Sequence, residues 1–76
     1  MLTSLVVWTM DNCIWCDKVK QLLADNDMPF VVVKQPLEEM KVLLRVAGLD
    51  TLPQVWFGDH LIGGYDKTKQ WLENMP

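Results

Sequence analysis

Cys13 and Cys16 stand two residues apart in the stretch TMDNCIWCDK, directly after an apolar run and directly before a helical pattern, and they are both of the chain's cysteines. Three chemistries suit such a pair: thiol–disulfide exchange, a share in a metal site, or two thiols packed in a core. A helix start favours the first. The free N–H groups of a first helical turn point outward and the dipole is positive there, so a Cys13 thiolate is stabilised. Positions of this kind bring a thiol pKa from ~8.5 to between ~3.5 and ~7.5, which makes Cys13 a nucleophile at neutral pH. Cys16 lies one helical turn further on, roughly 5 Å away, within the Cα separation that a disulfide tolerates. It can resolve a mixed disulfide formed on Cys13 without backbone rearrangement.

The rival readings stand on weaker ground. Free cysteine is among the most buried residue types, but a buried pair has no reason to sit at a helix entrance. A closed zinc site takes four ligands, and the chain offers two Cys and the single His60. A metal site within one monomer fails on ligand count; a dimer sharing an iron–sulfur cluster would not. As a structural staple the pair is poor, because a loop closed over two residues removes little chain entropy. In a cytosolic chain, C-x-x-C beside a βαβ pattern reads as a redox pair.

The elements that must position this pair follow from apolar periodicity. Leu5-Val6-Val7-Trp8 is a continuous apolar run, the pattern of a strand buried on both faces, and Asp11 and Asn12 are turn and cap formers before a helix that starts at or near Cys13. Cys16, Val19, Leu22 and Leu23 recur along it at three- and four-residue steps. Asp25 to Pro29 breaks the helix, and Phe30-Val31-Val32-Val33 is a second run of the buried-strand type. Strand, helix, strand at this spacing predicts a right-handed βαβ unit with parallel strands.

Pro36 opens a second helix, with Glu38 and Glu39 in its first turn and Leu37, Met40, Leu43, Leu44 and Ala47 along one face. Gly48 suits its C-terminal stop. Gln54-Val55-Trp56-Phe57 and His60-Leu61-Ile62 flank Gly58-Asp59 as a hairpin. Thr68, Trp71, Leu72 and Met75 give a last helix an apolar edge, and Trp8, Trp56 and Trp71 read as core or strand-face aromatics. The architecture expected is α/β, in the order βαβ, α, ββα, with a small sheet part parallel and part antiparallel.

Length and charge bound the function. At 76 residues, half of them hydrophobic, one globular domain over 1–76 is expected, with a thin core. A net charge of −3 lacks the basic footprint that phosphate-backbone binding requires, so nucleic acid is not an expected partner. MLTSLVVWTM has no basic lead and no cleavage site and is too short to span a bilayer, so it is read as a strand in a cytoplasmic protein without membrane association.

Three blocks together resemble the glutaredoxins: Cys13-Ile14-Trp15-Cys16 at the redox motif, Thr51-Leu52-Pro53-Gln54 at the Thr-Val-Pro segment, and Gly63-Gly64-Tyr65-Asp66 at the Gly-Gly-x-Asp turn. The likeness runs over essentially the whole chain and fits the compact bacterial and phage type. It implies a thioredoxin fold with a four-stranded mixed sheet and three helices. It also implies a cis Pro53, which would turn the backbone of Leu52 toward the sulfurs to pair like a strand edge with glutathione or a substrate peptide. Gly63-Gly64 would permit a close backbone approach, Asp66 would cap the last helix, and the N–H groups of Tyr65 and Asp66 would receive the γ-glutamyl carboxylate. Trp15 would be the exposed aromatic beside the sulfurs.

The function implied is dithiol–disulfide oxidoreduction, with Cys13 as nucleophile and Cys16 resolving. Glutathione would be a co-substrate, no cofactor would be bound beyond the redox disulfide, and Trp15, Thr51, Leu52, Pro53, Tyr65 and Asp66 would contact the substrate. Disulfide-bearing proteins, with ribonucleotide reductase as the family's usual client, and a monomeric state complete the expectation. The family commonly carries Lys where Met10 stands and a second acid where Lys67 stands. These departures keep a redoxin reduced by thioredoxin reductase as an alternative; an iron–sulfur carrier is an alternative of another class.

Overall fold

The apolar runs become strands of four residues each, and the three- and four-residue periodicities become helices. In the computed structural model, which describes residues 4–75, the chain forms β1 (Leu5–Trp8), α1 (Ile14–Asp25), β2 (Phe30–Val33), α2 (Leu37–Val46), β3 (Gln54–Phe57), β4 (His60–Gly63) and α3 (Tyr65–Glu73). The expected strand at the N-terminus begins at Leu5; residues 1–3 of the stretch lie outside those described.

The four strands form one sheet in the order β2-β1-β3-β4. β1 and β2 are parallel, with Leu5 opposite Phe30 and Trp8 opposite Val33. β1 and β3 are antiparallel, as are β3 and β4, which carry an irregularity between Val55 and Trp56. The sheet is therefore mixed, as the sequence implies, and β1 lies at its interior directly before the cysteines.

Alternation along the strands decides which side chains are core. Leu5 and Val7 of β1, Val55 of β3, and Val19 and Leu23 of α1 form a buried cluster, with Tyr65, Trp71 and Leu72 from α3 packed against it. Met40 and Leu44 of α2 are also fully or nearly fully buried. Trp8 and Trp56 behave as strand-face aromatics, their ring centroids 5.0 Å apart, and Trp71 of α3 packs on Phe57 at 5.6 Å and against the core cluster.

Several sequence expectations change on contact with the sheet. β2 is an edge strand, so Val31 and Val32 remain about half exposed (53% and 51%) and the run is not buried on both faces. Val6 and Trp8 are likewise only half-buried. On α2 the apolar face narrows to buried Met40 and Leu44 and half-buried Leu43, with Leu37 and Ala47 exposed. α3 stops at Glu73, so Met75 lies beyond it. Gly48 follows α2 at φ +75°, the left-handed geometry of a helix stop.

Candidate active site

Cys13 is the N-cap of α1 in extended conformation (φ −122°, ψ 105°), with its carbonyl accepting the first helical bond from Asp17 N–H at 3.1 Å. Its Sγ accepts a hydrogen bond from Cys16 N–H at 3.2 Å. This is the capping role usually filled by a side-chain oxygen. The two cysteines are joined as a disulfide with their Cα atoms 5.2 Å apart. They differ in exposure: Cys16 is fully buried, whereas Cys13 is half-buried. An incoming sulfur therefore has access to Cys13, and Cys16 faces inward behind it.

The second contribution comes from the loop before β3. The Leu52–Pro53 peptide bond is cis, as the resemblance implies, and Pro53 is buried. Gln54 braces the loop from within, its Nε2 donating to Thr51 O at 2.9 Å and to Thr51 Oγ1 at 3.2 Å.

The third contribution is the turn into α3. Gly63 has φ +126°, and a Cβ there would meet Lys67 Cβ at 2.9 Å. Only glycine fits such a position. Gly64, at ordinary φ, is the N-cap of α3, and its carbonyl accepts from Thr68 N–H at 3.0 Å. Asp66 is therefore not the cap, contrary to expectation. A glycine already ends the turn in capping geometry, so Asp66 falls inside the first turn, where the dipole still favours its charge. The first-turn N–H groups of Tyr65 and Asp66 have no partner within the helix by construction.

Gly63→Ala is expected to cost about 1–3 kcal/mol from its backbone angle alone. Gly64→Ala, whose Cβ would rest 3.6 Å from Pro53 O in ordinary contact, should leave the urea midpoint nearly unchanged. Equal losses in the two variants would show that the positive φ is not what the turn requires.

These three segments meet in one cleft of about 170 Å³, lined by Trp15, Thr51, Leu52, Pro53, Gly64, Tyr65 and Asp66. Trp15, Thr51, Leu52, Pro53, Tyr65 and Asp66, the residues expected from the sequence to bind glutathione or substrate, are in its wall, whereas Cys13 and Cys16 are not. Trp15, between the two cysteines in sequence, is half-exposed and stacks on Tyr65 at 5.4 Å between ring centroids, with Lys18 Nζ 4.5 Å from its ring centre. Gly64 is the addition to the expected set in the wall; Lys18 lines no part of the cleft and touches it only through Trp15. Lys18 could have been found from its three-residue step along the helix from Trp15. A larger hollow of about 500 Å³ on α2, lined by Gln35, Glu38, Glu39, Val42 and Leu43, shares no residue with the cysteines or the cleft. Among the described residues no group of three or more His, Cys, Asp and Glu side chains is placed to hold a metal ion. No helix there is long and apolar enough to cross a membrane.

A β2-β1-β3-β4 mixed sheet, with a C-x-x-C pair opening the helix after β1 and a cis proline leading into β3, defines a thioredoxin-fold protein. Comparison with known proteins narrows the class. The glutaredoxin family model matches residues 5–62, and the chain belongs to the glutaredoxin family.

A glutaredoxin from Pseudomonas aeruginosa is 34% identical over 67 residues, covering 86% of this chain and 80% of that protein. The hybrid peroxiredoxin hyPrx5 of Haemophilus influenzae is 35% identical over 70 residues, covering 91% of this chain; the chain spans only 29% of that relative's length. Among solved structures, glutaredoxin 1 from Francisella tularensis in complex with cacodylate superposes with a TM-score of 0.85 at 19% identity, covering 93% of each chain. A buckwheat glutaredoxin–glutathione complex gives 0.78 at 26% identity, covering 95% of this chain and 70% of the other. The NrdH-redoxin of Escherichia coli gives 0.76 at 22% identity over 96% of both.

Proposed function

We propose that this chain is a dithiol–disulfide oxidoreductase that uses glutathione as its reductant, acting as one domain over residues 1–76 in a cytoplasmic setting. The observation that carries the reading is the cleft. Its walls bring Trp15, which stands between the two cysteines in sequence, together with the cis-proline loop and the N-terminus of α3, and Cys13 two residues before Trp15 is half-buried.

The steps follow from that arrangement. The Cys13 thiolate attacks one sulfur of a substrate disulfide, and the other sulfur leaves as a thiolate, giving a mixed disulfide on Cys13. Cys16, deprotonated, attacks the Cys13 Sγ from its buried side and expels the second substrate thiolate. The product is the Cys13–Cys16 disulfide. One glutathione thiolate reopens it by attack on Cys13, and a second attacks the glutathione sulfur, leaving glutathione disulfide and the reduced enzyme. Atoms and electrons balance: two thiols are oxidised for each substrate disulfide reduced.

At about 170 Å³ the cleft is smaller than one that encloses a drug-sized molecule. It suits an extended peptide lying across the surface. The Leu52 backbone would pair with that peptide as a strand edge, and the free N–H groups opening α3 would receive a carboxylate. Support from outside the chain comes from the buckwheat relative, whose structure is that of a glutathione complex. A disulfide-bearing protein is the proposed client, ribonucleotide reductase being the one that the family resemblance suggests.

Cys16→Ser tests the division of labour. Treated with glutathione disulfide, this variant is expected to accumulate one glutathionyl group on Cys13, read by intact mass and peptide mapping, while the wild type returns to its internal disulfide. Failure to accumulate an adduct, or an adduct placed elsewhere, would remove Cys16 from the resolving role.

A further inference from the structure

Asp11 stands two residues before Cys13 in the loop between β1 and α1, and its Oδ1 accepts a hydrogen bond from Lys34 Nζ at 3.0 Å. The contact is set by the sheet. Trp8 pairs with Val33 in the parallel ladder, and Thr9 N–H donates to Val33 O at 3.0 Å. The chain therefore leaves β1 and β2 side by side, with Lys34 just beyond one strand and Asp11 three residues beyond the other. Asn12, at φ +55°, then turns the chain into Cys13.

A carboxylate this close in the chain to a nucleophilic sulfur is a liability, because a like charge disfavours the ionised thiol. Lys34 supplies the opposite charge directly on that carboxylate. We infer that the Asp11–Lys34 pair sets the charge felt by Cys13: Lys34 is a positioning residue that favours the thiolate, and Asp11 opposes it. The inference rests on Cys13 being the nucleophile.

The other charged groups near the site sit on α1 and α3. On α1, Asp17 pairs with Lys20 at 3.6 Å and Lys18 lies over the Trp15 ring. From α3, Asp66 lines the cleft, with Lys67 next to it in sequence. The segment from Thr51 to Phe57 carries no charge, Asp50 preceding it. Asp11 and Lys34 line no part of the cleft, so both can be changed without altering the surfaces that meet substrate.

The two side chains are 77% and 52% exposed, so the effect is modest and screened by salt. The test measures alkylation of the reduced protein by iodoacetamide across pH, with the modified cysteine identified by peptide mass. It uses the wild type, Lys34→Gln, Asp11→Asn and the double variant, at low salt and at 1 M salt. At a pH below the midpoint and at low salt, K34Q should react roughly two- to threefold more slowly at Cys13 and D11N faster by a similar factor. The midpoint should move up in K34Q, down in D11N and back toward wild type in the double variant. High salt should collapse the differences, since the Debye length falls from ~10 Å at 0.1 M to ~3 Å at 1 M.

A loop merely loosened by losing the contact would shift both single variants in the same direction. That result, unshifted profiles in both, or shifts indifferent to salt would overturn the inference while leaving Cys13 as nucleophile. Alkylation of wild-type protein at Cys16 in place of Cys13 would overturn the proposed function itself.

Discussion

Cys13→Ser is expected to reduce disulfide reductase turnover to background, a loss on the order of 10³-fold or more, as when a nucleophile is removed. The physical reason is position as much as chemistry. Cys13 is half-buried and caps α1, whereas Cys16 is fully buried. Cys16 therefore cannot replace Cys13, because no substrate sulfur reaches it. A serine at position 13 still caps the helix through its oxygen, so the variant should fold, and its thermal midpoint measured alongside turnover separates lost chemistry from lost structure. Substantial turnover in a folded Cys13→Ser protein would contradict the assignment.

The second large effect is on stability. Leu23 is fully buried where α1 meets Leu5, Val7 and Val55 of the sheet, and Leu23→Ala should cost about 2–5 kcal/mol through lost burial and the cavity left behind. A chain of 76 residues has a total stability of roughly 4–11 kcal/mol at typical per-residue values. The variant should therefore lose a large share of that stability, with a urea midpoint well below that of the wild type. Val32→Ala provides the contrast. On edge strand β2 Val32 is about half exposed, so truncation there should stay within about 0.5 kcal/mol. Comparable losses at the two positions would mean that the core is not centred on the α1–sheet contact.

How these residues were legible differs by the kind of interaction. The helix capped by Cys13 could be read directly, because a turn former, a C-x-x-C and an apolar three–four periodicity are local signals. The hairpin at Gly58-Asp59 and the stop at Gly48 are local for the same reason. Burial of β2 could not be read, since Phe30–Val33 is as apolar as β1 and only strand order makes it an edge. Two glycines precede Asp66, and only the backbone shows that Gly64 and not Asp66 takes the capping geometry.

The cleft residues could be named because the motifs at 13–16, 51–54 and 63–66 carry the family resemblance. That they share one cleft required the fold to bring three distant segments together. The Asp11–Lys34 contact, 23 residues apart in sequence, had no local signal at all; it exists only through the parallel register of β1 and β2.

The most direct test of dithiol exchange fed by glutathione is an NADPH-coupled disulfide reduction assay. It would be run side by side with glutathione plus glutathione reductase and with thioredoxin reductase. Turnover with the glutathione system, lost in Cys13→Ser, is the result expected from the cleft despite Met10 and Lys67. Turnover with thioredoxin reductase alone would contradict glutathione as the reductant, and turnover with neither would contradict the oxidoreductase itself.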